Sequence, residues 1–447
     1  MTIEKLYGIY LAHPSIQTDT RQLKKGDLFF ALKGPNFNGN AFAARALELG
    51  AAYVILDEQP ADPDTLPPYT SDRLIVVEDV LTTLQQLALH HRRQFRIPFL
   101  AITGSNGKTT TKELVHAVLS AKYRTYTTRG NLNNHIGIPL TILSVAPDAE
   151  LAVIEMGANH QKEIEGYCRY TLPTHGIITN IGKAHLEGFG GPGGVKKGKG
   201  ELYDFLRAND GTAFVLTDSP DLPGMSKGIP HIFTYGTHDA DITGSALANS
   251  GSFLHVAITR GASTGPIRTR LVGDYNLPNV LVAVAVGRFF NVPDDLIRQS
   301  IEAYTPGNSR SQLIEKDGLH IILDAYNANP SSMRAAIDNF AKLPVAGPGH
   351  PLPTAQSLDR KVLVLGAMAE LGPESLAEHA AIVELIAKYG GWRDVVLVGG
   401  DFQKIGHPYI GFENSKEAAA WLREAGLRDA YLLVKGSRSQ KMEEVLG

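Results

Sequence analysis

The segment ITGSNGKTTTKEL, residues 102–114, contains the residue types that hold a phosphate group. Lys108 can pair with the β- and γ-phosphates of a nucleotide, and the Thr109 hydroxyl can ligate Mg²⁺. Glycines let backbone N–H groups turn toward an anion, and the start of a helix adds its positive dipole end. The common loop G-x-x-x-x-G-K-[ST] would require glycine at Ile102, whereas the first glycine here is Gly104. The segment is therefore either a turn with a solvated lysine or a shorter phosphate loop, and its place between an apolar strand and a helix favours the loop.

Polar side chains also follow other apolar runs. Glu155 closes the run LAVIE, where a carboxylate suits a hard cation, although a surface or helix-capping glutamate is an equal alternative. His185 follows the run HGIITNIG within a Gly-rich loop, and we expect it in the site, although a lone histidine is often structural. Lys199 lies in GGVKKGKGELYDFL, which by itself predicts a solvated basic helix start.

Amides and one more carboxylate occupy similar positions. Asn276 and Asn279 precede an apolar helix, and Asn279 could simply be its cap. Asp324 lies near the end of the run HIILDAY, and Asn327 follows that run directly. Each is weak evidence alone, but polar residues just past predicted strands in two α/β regions favour one cleft between domains.

Composition excludes several classes of function. The net charge is −3 and the pI is about 6.6, so there is no basic excess for a nucleic-acid or anionic-membrane partner. Cys168 is the single cysteine, which excludes an internal disulfide and favours a reducing compartment. The N-terminus lacks an apolar signal core, and no run approaches the roughly 18 apolar residues of a membrane helix. We expect a cytoplasmic protein without membrane insertion or nucleic acid.

Alternating strands and helices predict an α/β protein of three domains. Residues 1–96 are expected to form a small α/β domain, with a helix-like run AFAARALELGAAYVIL and a Pro/Asp-rich loop DEQPADPDTLPPYTSDR. Residues 97–309 show near-continuous apolar strands between helices, which predicts a parallel sheet covered on both faces. With the loop at residues 104–109, we expect this region to be a central P-loop-type ATPase domain. Residues 310–447 alternate again, which predicts a C-terminal Rossmann-like domain interrupted by the low-complexity stretch PVAGPGHPLPTAQS.

Taken together, these segments resemble the Mur ligases, the ATP-dependent enzymes that form amide bonds in peptidoglycan precursor synthesis. The family's loop G-[ST]-[ND]-G-K-[ST] matches GSNGKT at every position. Further similarity lies in TDTRQLKKGDLFFALKGPNFNG, GNLNNHIGIPLT, NIGKAHLEGFG, YNANPSSM, GAMAELG with His379, and VKGSRS. The resemblance runs from about residue 17 to the C-terminus and implies that residues 1–96 bind a nucleotide sugar.

The resemblance also implies roles for individual residues. Lys199 matches the lysine that family members carbamylate with CO₂, which turns an ammonium into a carboxylate-like ligand for a second Mg²⁺. The implied metal ligands are Thr109, Glu155, His185 and carbamylated Lys199, and the implied catalytic residues are Lys108, Glu155, His185 and Lys199. The loop and the resemblance together predict ATP contacts at Gly104, Ser105, Asn106, Gly107, Lys108, Thr109, Thr110, Asn276, Asn279, Arg310, Asp324 and Asn327. The implied UDP-sugar contacts are Thr18, Asp19, Arg21, Asn36, Phe37, Asn38 and Gly39.

The segments most specific within the family imply UDP-N-acetylmuramoyl-tripeptide and D-alanyl-D-alanine as the substrates, used with ATP and two Mg²⁺ ions. We expect a monomer. Two positions depart from the family pattern: Ser309-Arg310 stands where Gly-Arg is usual, and Gly198 stands where alanine is frequent.

Other classes of protein remain to be weighed. A kinase or other P-loop NTPase would need the full loop spacing, which is absent. A folylpolyglutamate-synthase-like ligase would share the loop and Lys199 but would lack the TDTR…GDLFFAL…NFNG region. Other Mur ligases would have different loops in place of YNANPSSM. A non-catalytic nucleotide-sugar-binding module would need neither the loop Gly104–Thr109 nor Glu155.

Overall fold

The computed structural model describes residues 1–59, 71–248, 252–307, 309–347, 350–354 and 358–447. Most of the Pro/Asp-rich loop of the N-terminal region and part of the low-complexity stretch near residue 350 lie outside these ranges. The described chain divides into two compact units. The first comprises residues 1–101, 123–157 and 163–175, and the second comprises residues 102–122, 158–162 and 176–447.

The N-terminal region is a small parallel sheet with helices. Its elements in chain order are α1 Ile3–Ala12, β1 Ile16–Gln17, β2 Leu28–Phe30, β3 Lys33–Gly34, β4 Phe37–Asn38, α2 Ala43–Glu48, β5 Tyr53–Leu56, β6 Leu74–Val76 and α3 Val80–Arg92. The sheet has the order β1-β2-β5-β6 with every neighbouring pair parallel. Phe29 and Val54 of this sheet pack with Ala46 and Leu47 of α2 in one buried cluster.

The central region contains most of the remaining strands. Its elements are β7 Phe99–Thr103, α4 Lys108–Ser120, β8 Thr125–Thr127, α5 Gly137–Leu143, β9 Leu151–Glu155, α6 Glu163–Thr171, β10 His175–Ile178, α7 Leu186–Phe189, α8 Pro192–Ala208, β11 Thr212–Leu216, α9 Leu222–Met225, β12 His231–Gly236, β13 Ile242–Leu247, β14 Phe253–Arg260, β15 Ile267–Val272, α10 Leu277–Phe289 and α11 Asp294–Ala303. In the first unit the strand order is β7-β9-β8, and in the second it is β15-β14-β13-β12-β11-β10 followed by the end of β7.

The C-terminal region forms a six-stranded sheet within the second unit. Its elements are β16 Gln312–Lys316, β17 Leu319–Asp324, α12 Pro330–Lys342, β18 Val345–Gly347, β19 His350–Thr354, β20 Lys361–Gly366, α13 Ser375–Tyr389, β21 Asp394–Val398, β22 Ile410–Phe412, α14 Ser415–Glu424 and β23 Tyr431–Lys435. The order is β16-β17-β23-β20-β21-β22, with β16 antiparallel to β17 and the other pairs parallel. Val364, Val396 and Leu432 lie in its buried core.

The predicted α/β architecture is confirmed, but two local predictions are wrong. The run AFAARALELGAAYVIL is a helix followed by a strand, because Gly50 takes a φ of 93° that ends α2 and Tyr53–Leu56 then pairs with β2 and β6. The central sheet is not purely parallel, since β14 is antiparallel to both of its neighbours. Buried and exposed residues alternate through most of β15, as expected for a strand with one solvated face.

Candidate active site

The two glycines of the phosphate loop take conformations that only glycine adopts readily. Gly104 follows β7 with a φ of 141°, and a Cβ there would lie 2.0 Å from Oγ1 of Thr179. Gly107 has a φ of 78° and caps α4, and a Cβ there would lie 2.8 Å from Oδ1 of Asn279. The loop is short because both ends turn within four residues between a fully buried strand and a helix.

Residues after β10 hold the loop in place. The backbone N–H of Asn106 donates to Oδ1 of Asn180 at 3.0 Å, and the Asn106 carbonyl accepts from Oγ1 of Thr179 at 2.6 Å and from Nδ2 of Asn180 at 3.0 Å. The hydroxyl of Ser105 donates to the Gly182 carbonyl at 3.0 Å and accepts from the Gly182 N–H at 2.9 Å. Thr179 is a residue that sequence reasoning missed, and its place directly after the apolar run of β10 was the available signal.

The lysine and threonines of the loop lie at the start of α4. Nζ of Lys108 donates to the carbonyls of Gly104 at 2.8 Å and Ser105 at 3.2 Å, so its ammonium group lies beside the loop that it belongs to. Thr109 is buried and Thr110 is partly buried. This arrangement places a cation and the positive end of a 13-residue helix at one loop, which is the arrangement that binds a nucleotide phosphate.

Asn276 and Asn279 support the loop from α10. Nδ2 of Asn279 donates to Oδ1 of Asn276 at 2.9 Å, and Oδ1 of Asn279 accepts from the Thr111 hydroxyl at 3.1 Å. Nδ2 of Asn276 donates to the Val272 carbonyl at 2.9 Å. Both asparagines are buried, so their amides tie α10 to the first turn of α4. Their predicted contact with ATP stays a prediction.

Glu155 ends β9 in the first unit and is not a surface residue. Its side chain is buried, and its Oε1 accepts from Nδ2 of Asn133 at 2.8 Å. Its backbone N–H donates to the Thr128 hydroxyl at 2.9 Å. An acceptor-only carboxylate at a strand end, oriented by an amide donor, is suited to a hard cation.

His185 lies in the second unit and contacts the C-terminal region. Its Nδ1 lies in hydrogen-bond contact with a carboxylate oxygen of Glu370, so Nδ1 carries the proton because a carboxylate only accepts. That hydrogen bond holds the pKa of Glu370 below its usual range. His185 and Glu370 have φ values of 52° and 61°, a conformation that is costly for residues with a Cβ and that occurs often at functional sites. Sequence reasoning did not select Glu370, although it lies in the quoted segment GAMAELG.

Lys199 is buried in α8 rather than solvated. Its side chain has 0% exposure, its Nζ donates to the Ala158 carbonyl at 2.9 Å, and the same atom lies 4.9 Å from the centre of the Phe189 ring. The neighbouring Lys196 and Lys197 are exposed. The basic helix start suggested by the residues alone therefore holds for Lys196 and Lys197 but is wrong for Lys199.

The C-terminal candidates gather at the ends of β17 and β23. The parallel register pairs Asp324 with Lys435, and the Lys435 ammonium forms an ion pair with Asp324 while also donating to the Asn327 carbonyl at 3.3 Å. The guanidinium carbon of Arg310 lies 3.6 Å from the centre of the Tyr326 ring. Ser309 has a φ of 55°, a left-handed conformation that glycine adopts more readily than serine. This agrees with the glycine that is usual at this position in the family pattern.

The predicted sugar-binding residues lie in two short segments of the N-terminal region. Thr18 to Arg21 follow β1, and Asn36 to Gly39 contain β4, which pairs with β3 in a hairpin after β2. The strands β1 and β2 are parallel neighbours, so their carboxyl ends share one edge of the sheet. Asp19 forms an ion pair with Arg21 at 2.7 Å, and the hydrogen bonds from Arg21 lower the pKa of Asp19 to about 2. Asn38 donates to Glu58 at 2.8 Å, and Phe37 is 56% exposed.

Among the described residues, no three His, Cys, Asp or Glu side chains form a group that could hold a metal ion. No described helix is long and apolar enough to cross a bilayer.

Comparison with known proteins defines the class. Three family models match, described as the Mur ligase family catalytic domain over residues 14–92, the Mur ligase middle domain over residues 102–287, and the Mur ligase glutamate ligase domain over residues 309–438. With the relatives that follow, these matches show that the chain belongs to the Mur ligase family, whose members use ATP.

Two of the sequence relatives share one name, and two solved structures are similar over nearly the whole chain. The UDP-N-acetylmuramoyl-tripeptide–D-alanyl-D-alanine ligase of Bacillus subtilis is 33% identical over 96% of this chain and 92% of its own length. The ligase of the same name from Escherichia coli is 34% identical over 99% and 95%. A crystal structure of MurF from Acinetobacter baumannii has a TM-score of 0.85 at 28% identity, covering 100% of this chain and 97% of its own. MurF of Thermotoga maritima, in complex with ADP, has a TM-score of 0.82 at 26% identity and covers 98% and 97%.

Proposed function

We propose that this chain joins D-alanyl-D-alanine to UDP-N-acetylmuramoyl-tripeptide, the two substrates in the names of its relatives, and that it converts ATP to ADP and phosphate as it does so. The product is the UDP-N-acetylmuramoyl-pentapeptide used for peptidoglycan. The observation that carries the proposal is the G-S-N-G-K-T loop, held by the strand end of β10 and touched by the YNANPSSM segment of the C-terminal region. A loop for ATP is thus joined to the segment that distinguishes this ligase from the other Mur ligases.

The reaction is proposed to pass through an acyl phosphate. An oxygen of the tripeptide's terminal carboxylate attacks the γ-phosphorus of ATP, and the bond from that phosphorus to the ADP oxygen breaks. The amine of D-alanyl-D-alanine then attacks the activated carbonyl carbon, and phosphate leaves as the amide forms and a proton is released. Phosphate is a far better leaving group than a carboxylate oxygen, which is why ATP is consumed.

The chain's own contribution is positioning and charge neutralisation. Lys108 beside the loop is placed to neutralise the β- and γ-phosphates, and the α4 N-terminus adds its dipole. Arg310, stacked on Tyr326, would present its guanidinium edge to a phosphate, and the ion pair between Asp324 and the buried Lys435 holds the loop that follows β17. Holding the carboxylate and the γ-phosphate in line lowers the entropic cost of the first step.

Some of the proposed metal ligands have donor atoms that suit Mg²⁺. Glu155 offers a buried carboxylate and Thr109 offers a hydroxyl, while His185 keeps Nε2 for a ligand because Nδ1 serves Glu370. Lys199 as an ammonium donates to a carbonyl and has no lone pair for a cation, so we propose that it would serve as a ligand in the carbamate form. Bound Mg²⁺ would polarise the phosphate oxygens. Mg²⁺ commonly uses only one or two carboxylates and completes its shell with phosphate and water.

One assay tests the proposed function. We expect phosphate release from ATP in the presence of UDP-N-acetylmuramoyl-tripeptide to depend on D-alanyl-D-alanine. Mass spectrometry of the product formed from each tripeptide then decides whether the substrate ends in meso-diaminopimelate or in L-lysine. Phosphate release that ignores the dipeptide would indicate an NTPase of another kind. Binding of the UDP-sugar without any ATP turnover would indicate a non-catalytic module.

A lysine variant tests the carbamate. Lys199→Ala should reduce the rate of ligation by at least about a hundredfold, the scale at which single groups that stabilise charge in a transition state act. Small carboxylic acids should restore part of the activity because they replace the lost carboxylate-like oxygens. Lys197→Ala, in the same helix but exposed, is the matched control and should keep full activity. Full activity of Lys199→Ala would contradict the carbamate.

A further inference from the structure

Asn329 makes two different contacts with its one side-chain amide. It is the N-cap of α12, where its Oδ1 accepts from the Ser332 backbone N–H at 2.9 Å and its own backbone N–H donates to the Ser332 hydroxyl at 3.1 Å. Its Nδ2 donates to Oδ1 of Asn106, in the phosphate loop, at 2.7 Å. The cap fixes the orientation of the amide, because only the oxygen can accept from Ser332.

The contact falls on the residue at which the phosphate loop is anchored. The main chain of Asn106 is held by Thr179 and Asn180 from the end of β10, through its N–H and its carbonyl. The side chain of Asn106 is held by Asn329 from a segment 223 residues further along the chain. The central region therefore fixes the backbone of the loop, and the C-terminal region fixes the side chain.

The second residue of α12, Ser331, contacts the segment that follows β10. The Ser331 hydroxyl accepts from the Lys183 backbone N–H at 3.0 Å, and a Cβ at Gly182 would lie 3.0 Å from that hydroxyl oxygen. Gly182 is also the partner of Ser105. The first turn of α12 thus lies directly on the residues that support the loop, and Asn329 is 8% exposed within this contact.

We propose that Asn329 is a positioning residue that couples the C-terminal region to the ATP loop. Through Nδ2 it holds Asn106, so the loop reaches the conformation that binds ATP well only when the first turn of α12 is in place. This inference rests on the proposed function, in which the loop binds ATP, and it adds a reason for the second asparagine of YNANPSSM. Asn329 touches the loop and not the reacting atoms.

The variant that tests this proposal keeps the N-cap of α12 and removes the hydrogen bond from residue 329 to Asn106. Asn329→Ser retains a side-chain oxygen that caps α12 about as well as asparagine does, but serine is too short to reach Asn106. We expect the affinity for ATP, measured by calorimetry with ATP alone, to fall about fivefold, the scale of one lost buried hydrogen bond, while the melting temperature of the free protein changes little. The KM for ATP should rise by the same factor and kcat should change less.

Two further variants separate positioning from a structural effect. Ser332→Ala disturbs the cap but not the link to Asn106, so it should leave ATP affinity unchanged. Asn106→Ala combined with Asn329→Ser should weaken ATP binding no more than the stronger single variant, since both remove the same contact. Unchanged ATP affinity in Asn329→Ser, an equal loss in Ser332→Ala, or additive losses in the double variant would each overturn the proposal.

The calorimetric measurement also separates a failure of this proposal from a failure of the proposed function. Calorimetry with ATP needs neither the UDP-sugar nor the dipeptide, so coupling between Asn329 and Asn106 is measurable even if the wild-type chain fails to form the pentapeptide. Failure of the ligation assay with intact coupling would overturn the proposed function alone.

Discussion

At the scale of single residues, the phosphate loop depends on backbone conformations as much as on charged side chains. Gly104 and Gly107 have positive φ angles, and each lies against a neighbouring side chain where a Cβ would not fit. This geometry explains the loop's short spacing. The turn is completed by contact with Thr179 and Asn279 instead of by extra loop residues.

A substitution at the first glycine tests this account. Gly104→Ala should weaken ATP binding by roughly tenfold or more, because the added Cβ lies 2.0 Å from the Thr179 hydroxyl oxygen and the left-handed backbone costs on the order of 1–3 kcal/mol. Calorimetry with ATP measures this loss. Gly166→Ala, where the added methyl meets nothing within 4 Å in α6, is the control and should keep affinity while raising the free energy of unfolding by up to about 1 kcal/mol. Equal affinities in the two variants would contradict the account.

The buried His379 predicts a pH dependence of stability. Burial lowers the pKa of His379, although the Ser375 carbonyl and nearby Asp401 and Glu378 oppose that shift. Its Nε2 accepts from the Met368 backbone N–H at 3.0 Å, so the folded chain needs the neutral ring. Since the unfolded chain takes up the proton first, this contribution to stability is present above about pH 6.5 and is lost as the pH falls toward the lowered folded-state pKa.

Urea unfolding between pH 7.5 and pH 5 measures that contribution. We expect His379→Gln, whose amide oxygen can still accept from Met368, to be less stable at neutral pH but to lose less stability on acidification than the wild type. An unchanged slope of stability against pH would mean that other groups, such as the buried His91 with its lowered pKa, account for the effect.

At the scale of elements, α7 and α8 can pack closely because residue 198 of α8 is a glycine and has no Cβ. Gly198 stands where the family pattern often has alanine, and a Cβ there would lie 2.4 Å from the Phe189 ring. The Phe189 ring occupies that space and also lies near the Lys199 ammonium. The Phe189 ring of α7 therefore accounts for the glycine at this position.

This packing predicts that Gly198→Ala alone is destabilising and that adding Phe189→Leu to it offsets part of the loss. Gly198→Ala should lower the free energy of unfolding by about 1–3 kcal/mol, the usual cost of overpacking, even though alanine favours a helix more than glycine does. Adding Phe189→Leu should recover part of that loss, because a smaller side chain leaves room for the methyl. Chemical unfolding of the two variants measures both effects, and a more stable Gly198→Ala would show that the ring moves away without cost.

At the scale of the whole molecule, the second unit contains both the loop Gly104–Thr109 and the C-terminal sheet. Asn329, Ser331 and Glu370 contact the loops after β7 and β10, and Lys183 forms an ion pair with Glu378. Ligand binding at that loop should therefore stabilise a large part of the chain.

Thermal or chemical unfolding with ATP tests this coupling. At a hundred times its dissociation constant, ATP should add about 2.7 kcal/mol to the free energy of unfolding. Lys108→Ala should lose most of this gain because the phosphates lose their cation, whereas the exposed Lys227→Ala should keep it. An equal gain in both variants would mean that ATP binds elsewhere.

The residues alone are enough to give the α/β class, the short glycine-rich turn between a strand and a helix, and the family. These depend on local patterns, namely apolar runs of strand length, glycine spacing and short polar segments after strands. The run at residues 41–56 was misjudged because one glycine turns a helix into a helix and a strand, and its apolar residues suit both periodicities. The two boundaries between the three predicted domains, at residues 96 and 309, stay predictions, and so do the binding roles of the single residues.

Only the tertiary structure decided which polar residues are buried and what they contact. Lys199 has the same local sequence surroundings as Lys196 and Lys197, yet it alone of the three faces the interior beside Phe189 and Ala158. The local sequence marks Thr179 as a residue after a strand and places Glu370 and Asn329 in short polar segments, but it does not show what any of the three contacts. Their partners lie 73, 185 and 223 residues away in the chain. Packing between distant segments sets such contacts, and local propensity does not encode it.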